Sequence, residues 1–305
     1  MATPGTTPRC WARHTGILAC VPSHVEGVVR SVKMGGLPKH VEHKDPVFVA
    51  ATGVDAPGED TGYGTRPYYS YVGDGVAGIR LDGTLGKAQS KFVDTGTAFV
   101  KRALAAAVAD PKIASVLLVI DSPGGYVAGT EDLADAVKAA DAQKPVVAYI
   151  EDLGASAAYW IASQARTIYA NAGAFVGSIG VFAVVEDSSK AAEIAGVTVH
   201  VIATGPLKGA GAPGAPITSD QLAAWQTEID DTFARFEAAV KRGRGLTPKG
   251  LAEVTTGGVW IAEKAKALGL IDGIRPLDAV VAGMPKPRKP KAAAADALIR
   301  LAEAE

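Results

Sequence analysis

Residues 113–120, IASVLLVI, form an unbroken run of apolar and small side chains with no alternation. A strand with one wet face alternates. A strand buried on both faces does not, and such strands belong to parallel sheets covered by helices on each side. This run therefore points the chain to an α/β architecture. Its neighbours agree: VAGIRL at 76–81 and PVVAYI at 145–150 read as strands, and 95–109 and 127–140 read as helices between them. The alternation continues with a helix from Ser156 through about Ser163, strands at 166–170 and 181–185, a helix at 187–195 and a strand at 197–203. Strands alternating with helices imply parallel pairing through right-handed crossovers.

A long helix is predicted over 218–243, opened by Thr218 or Ser219 as N-cap and stopped by Gly243. Leu222, Trp225, Ile229, Phe233 and Phe236 recur along it at helical spacing and are expected to pack on the core; shared with a sister subunit, the stripe would be an interface. Short helices are expected over 247–282. The chain thus divides into an irregular N-terminal extension (1–70), rich in Gly, Pro and Thr, and a folded domain (71–283). A basic, Pro/Ala-rich linker and short amphipathic helix (284–305) follow.

With 48% hydrophobic and 21% charged residues, 305 residues suffice for a sizeable core. A net charge of −1 gives no electrostatic ground for a nucleic-acid or membrane-surface partner. No segment reaches the roughly 18–20 apolar residues of a membrane span. The best N-terminal candidate, GILACVPSHVEGVV, is interrupted by Pro22, His24 and Glu26. Neither a transmembrane segment nor a secretory signal is expected, and the cytoplasm, or an assembly formed there, is the expected location. Cys10 and Cys20, the only cysteines, make no disulfide framework. With His14 and His24 they supply zinc-type ligands, but their C-x9-C spacing is not that of a zinc knuckle. No metal and no cofactor is expected.

Four pieces can carry chemistry. In IDSPGGYV an apolar strand ends at Asp121 and turns through Ser122, Pro123, Gly124 and Gly125. Paired glycines let backbone approach a ligand, and their N–H groups can point at an anion, as in an oxyanion hole. Ser156 opens a small-residue helix among Gly154, Ala155, Ala157 and Ala158. An N-cap serine fits the same pattern; so does a nucleophile, whose developing charge a helix N-terminus favours. Lys208 sits in the glycine-rich loop TGPLKGAG with no carboxylate beside it. It is either a surface lysine or, if burial strips its proton, a base. Ser178, in GSIGVF, is either a turn residue or a hydroxyl able to orient a neutral amine.

Taken together, IDSPGG, GASAAYWIAS, GSIGVF, a lysine in a glycine-rich loop and GGVWIAEKAKALGLID resemble, in order and spacing, the S49 peptidase family. That family includes bacterial signal peptide peptidases and phage head-maturation proteases. The resemblance covers about residues 74–280. It implies Ser156 as nucleophile, Lys208 as general base, Ser178 as the residue positioning the lysine, and the backbone of Gly124, with Gly125, lining an oxyanion hole. It also implies a Clp protease/crotonase-like spiral of ββα units, a peptide or protein substrate, a homo-oligomer, and a capsid or scaffold partner within a phage procapsid. Ala157-Ala158 stand where many relatives have Gly-Gly. A single catalytic unit without a membrane helix looks more like the phage enzymes.

Three other functions fit the same fold. A Clp-type Ser-His-Asp peptidase needs a histidine after the nucleophile, and only His200 is available. A crotonase-like acyl-CoA enzyme would use the glycines but not Ser156. A structural component of a capsid or membrane complex would need neither.

Overall fold

The computed structural model describes residues 65–287 together with two short upstream strands, Leu18–Cys20 and Gly58–Asp60. Cys10, His14 and His24, and the basic linker and terminal helix from 288 onward, lie outside the described residues. In chain order the strands are β1 (Leu18–Cys20), β2 (Gly58–Asp60), β3 (Thr65–Pro67), β4 (Ser70–Gly73), β5 (Val76–Gly86), β6 (Thr95–Gly96), β7 (Ser115–Tyr126), β8 (Val146–Ala155), β9 (Thr167–Ala170), β10 (Phe175–Gly177), β11 (Val259–Ile261) and β12 (Gly273–Ile274). The helices are α1 (Thr97–Ala109), α2 (Thr130–Asp141), α3 (Ala157–Ala162), α4 (Ser189–Ile194), α5 (Ser219–Arg244), α6 (Pro248–Val254), α7 (Ala262–Ala267) and α8 (Leu277–Gly283).

The architecture is mixed α/β around one mostly parallel sheet. Its main path runs β11-β10-β8-β7-β5-β4. The central neighbours β5, β7 and β8 pair in parallel, and β9 and β10 each pair in parallel with β8. Among the described strands, antiparallel pairing joins β4 to β5, β11 to β10, β1 to β7 and β2 to β3.

The apolar run at 113–120 explains itself at β7. Val116, Leu118 and Ile120 face the main core, with Ala77, Ile79 and Leu81 of β5 and Ala148 and Ile150 of β8. Helices α1, α2 and α3 cover that face through Val100, Leu104, Leu133, Val137 and Trp160. The alternate residues Leu117 and Val119 face a second cluster with Val76, Tyr149, Val280 and Met284. Both faces are dry, so the sequence cannot alternate.

The central strands do not run straight. Register shifts fall between Asp82 and Thr84 in the β5–β7 pairing and between Ile120 and Ser122 in the β7–β8 pairing. Before the break β8 holds β9; beyond it, at Leu153–Ala155, it holds β10. A polar group gathers at the break. Arg80 pairs with Asp82 and with Glu151 across the sheet, and Asp121 lies among them.

Two expected strands do not form. Neither 181–185 nor 197–203 is a strand, although α4 occupies part of the helix expected between them. The nearest strand in the chain is already paired on both sides: β10 is flanked by β8 and by β11. Apolar residues of the two runs remain outside, with Val184 61%, Val197 52% and Ile202 98% exposed. The long helix also departs from expectation. It runs past Gly243 to Arg244 and ends on left-handed Gly245. Gly243 serves a crossing instead: a Cβ there would meet the Ser163 carbonyl oxygen at 1.9 Å. Only the C-terminal half of the helix, from Thr232, is buried; Leu222 is exposed. No helix of the described residues is long and apolar enough to cross a membrane.

Candidate active site

Ser156 stands where β8 turns into α3. Its backbone has φ 55° and ψ −121°, a conformation that costs a non-glycine residue about 1–3 kcal/mol. Only Ser178 shares a positive φ among the described non-glycine residues. The strain at Ser156 is held from both sides. Its N–H donates to the Gly177 carbonyl at 2.8 Å, and its carbonyl accepts from the Trp160 N–H at 2.8 Å. Behind it, every residue of α3 is buried. Trp160 stacks on Phe236 of α5 with ring centroids 4.6 Å apart, and Tyr159 donates to the Leu270 carbonyl at 2.8 Å. The serine therefore rides on a short helix locked into the core.

The Ser156 hydroxyl is fully buried and has no hydrogen-bond partner. Leaving a buried hydroxyl unpaired costs about 1–3 kcal/mol. A purely structural N-cap serine would spend that hydroxyl on the helix; Ser156 makes no such side-chain cap. Strained backbone and an orphaned hydroxyl at one residue suit a group reserved for chemistry.

The other candidates fall into two sets. Ser178 directly follows β10, whose Gly177 pairs with Ala155, so Ser156 and Ser178 leave adjacent strands at the same level. Ser178 is buried, and its N–H donates to the Gly258 carbonyl. Gly124 lies on the other neighbour, β7, two residues past the Ser122–Gly154 pair. Its φ of +99° requires glycine. Gly125 is needed for packing as well: a Cβ there would stand 2.0 Å from the Leu85 carbonyl oxygen. The structure thus brings Gly124, Ser156 and Ser178 to the same end of three adjacent strands.

It does not bring Lys208 there. Lys208 lies in the exposed 204–211 turns, its N–H donating to the Gly205 carbonyl at 3.1 Å. The Ser156 hydroxyl, which has no hydrogen-bond partner, is not bonded to its amine. His200 is also exposed.

Ser122 was missed by sequence reasoning. Fully buried, it donates to the Gly83 carbonyl at 2.6 Å and accepts from the Gly124 N–H at 3.1 Å. An oxyanion calling on the Gly124 N–H must draw it from Ser122. The signal was present in the Ser-Pro-Gly-Gly turn, where a serine hydroxyl commonly binds the N–H two residues on. Beside it, Asp121 is pushed above the ordinary carboxylate range, first by burial and then by Asp152 and Asp82.

The peptidase family S49 model matches residues 138–290, about half the chain and the part that holds Ser156, Ser178 and Lys208. Protease 4 of Salmonella typhi is 29% identical over 231 residues, covering 73% of this chain and 37% of that protein. Capsid assembly protease C of Escherichia phage lambda is 32% identical over 214 residues, covering 68% of this chain and 48% of that protein. The chloroplastic serine protease SPPA of Arabidopsis thaliana is 24% identical over 271 residues, covering 83% and 40%. The match thus spans less than half the length of each of these three relatives. On the family match, the order of its motifs and this breadth of relatives, the chain belongs to peptidase family S49.

Proposed function

We propose that this chain is a serine endopeptidase with Ser156 as nucleophile and Lys208 as general base. The observation that carries the proposal is the Ser156 hydroxyl, buried and unpartnered on strained backbone between Gly124 and Ser178. Lys208, unprotonated, takes the Ser156 proton as Oγ bonds to the substrate carbonyl carbon. Backbone N–H of Gly124, with Gly125, receives the developing oxyanion. The C–N bond breaks, the amine leaves with the proton, and water activated by the same lysine hydrolyses the acyl-enzyme. Ser178 positions the lysine amine.

A lysine amine becomes a base more readily when buried. Lys208 is exposed in the single chain, so this mechanism requires a second copy of the chain to close the site. Support comes from the apolar residues around the lysine segment, Val201, Ile202 and Leu207, all exposed. The breaks in β5, β7 and β8, each passing from one set of partners to another, support a Clp-like spiral of ββα units. The relative named for capsid assembly supports a capsid or scaffold protein as substrate, cleaved in the cytoplasm or in a procapsid.

The test is labelling with a fluorophosphonate probe, read by mass spectrometry beside hydrolysis of a protein substrate. Label on Ser156 in wild type, and loss of hydrolysis in Ser156→Ala and Lys208→Ala, is the expected result. Hydrolysis surviving in Ser156→Ala overturns the proposal.

A further inference from the structure

β7 has two edges. At Gly124 and Gly125 one edge carries β5, through Thr84 and Leu85. The other belongs to β8 only as far as the Ser122–Gly154 pair, after which β8 turns at Ser156 into α3. Beyond that point the edge is taken by β1: Leu18 pairs with Tyr126, Ala19 with Gly125 and Cys20 with Gly124, antiparallel. A three-residue strand from far upstream thus fills the slot that β8 vacates beside Ser156.

The direction of that strand is informative. As the chain runs from Leu18 to Cys20, its partners run from Tyr126 back to Gly124, the β7 residue nearest the level of Ser156. A serine peptidase forms its ester with the carbonyl of the residue before the scissile bond, so the acyl half of a substrate approaches the nucleophile with its C-terminal end leading. β1 has that polarity. An extended peptide held on a sheet edge by main-chain hydrogen bonds is a recurrent recognition mode.

We propose that Leu18–Cys20 is an internal stand-in for the acyl half of a peptide substrate, occupying the β7 edge at Gly124–Tyr126 so that substrate must displace it. The assignment of polarity rests on Ser156 being the nucleophile; the occupancy does not. Displacement follows population arithmetic: a slot covered nine-tenths of the time binds its ligand about tenfold more weakly than an open one.

The test measures binding, without turnover, in the full chain carrying Ser156→Ala. The probe is a fluorescent peptide with the sequence of residues 14–20, HTGILAC, read by anisotropy. The variant Leu18→Pro/Ala19→Pro removes two successive N–H donors and cannot pair with β7. It is expected to bind the probe about tenfold more tightly, whereas Ala19→Val, which keeps both donors, binds as the parent does. Equal affinity in the parent and the proline variant, or no saturable binding in either, overturns the proposal. If the proline pair does not fold, amide exchange on the unaltered chain decides: saturating probe must speed exchange across Leu18–Cys20, and an unchanged rate overturns the proposal. Tight binding by a chain that never hydrolyses peptide in a Ser156-dependent way would leave occupancy standing and remove the peptidase reading, so the two failures are separable.

Discussion

Ser156 combines two costs that folding does not require, a positive φ and an unpaired buried hydroxyl. Replacing it by alanine keeps the first and removes the second. Ser156→Ala is therefore expected to be more stable than wild type by about 1–3 kcal/mol in urea unfolding, while losing hydrolysis. A variant that is both inactive and less stable would mean that the hydroxyl holds the fold rather than reacts. Asp121 makes the opposite kind of prediction. Its raised pKa means that the folded chain binds the proton more tightly than the unfolded chain. The stability that this contributes is complete below the ordinary carboxylate range and is lost as pH rises through the raised value. Asp121→Asn should accordingly melt above wild type at neutral pH, with the advantage shrinking as pH falls through the raised value and gone below the ordinary carboxylate range. A gain that does not depend on pH would argue against burial of the charge as its cause.

At the level of elements, the site depends on α3 being immobile. The stack of Trp160 on Phe236 ties it to α5, and truncating such a buried aromatic costs about 3–5 kcal/mol. Phe236→Ala is expected to lower the melting temperature and to reduce kcat even where the chain remains folded; unchanged kcat would show that the platform is not needed. The legibility of elements in the sequence followed the same logic. The run at 113–120 announced β7 because both its faces are buried. The β-branched runs at 181–185 and 197–203 had the composition of strands, but the β10 edge away from β8 is held by β11 and neither run joins the sheet as a strand. β10 and β11 are three residues each, too short to show a period. Gly243 read as a helix stop because glycine commonly is one, whereas here it lets two backbones touch. Ser156, Ser178 and the glycine turn were visible as small-residue motifs. Ser122 was not singled out, since its part is a hydrogen bond to a neighbouring turn.

For the whole molecule, the segment carrying Lys208 is largely exposed. Ile202 is 98% exposed, and no fold of a single copy requires it to be apolar. Ile202→Glu should leave melting unchanged while lowering the mass in sedimentation and the rate of hydrolysis together. Retained assembly and retained activity would show that this face is not where copies meet. If the site is shared between copies, inactive Ser156→Ala and inactive Lys208→Ala chains should regain part of the activity when mixed.

The central claim is that the 208 amine activates the 156 hydroxyl. Its most direct test is kcat/KM for a peptide substrate across pH, in wild type, Lys208→Ala and His200→Ala. The account predicts that His200→Ala follows the wild-type curve, rising with pH, and that Lys208→Ala lacks measurable turnover throughout. Full activity in Lys208→Ala, or its loss in His200→Ala with the lysine intact, would contradict it.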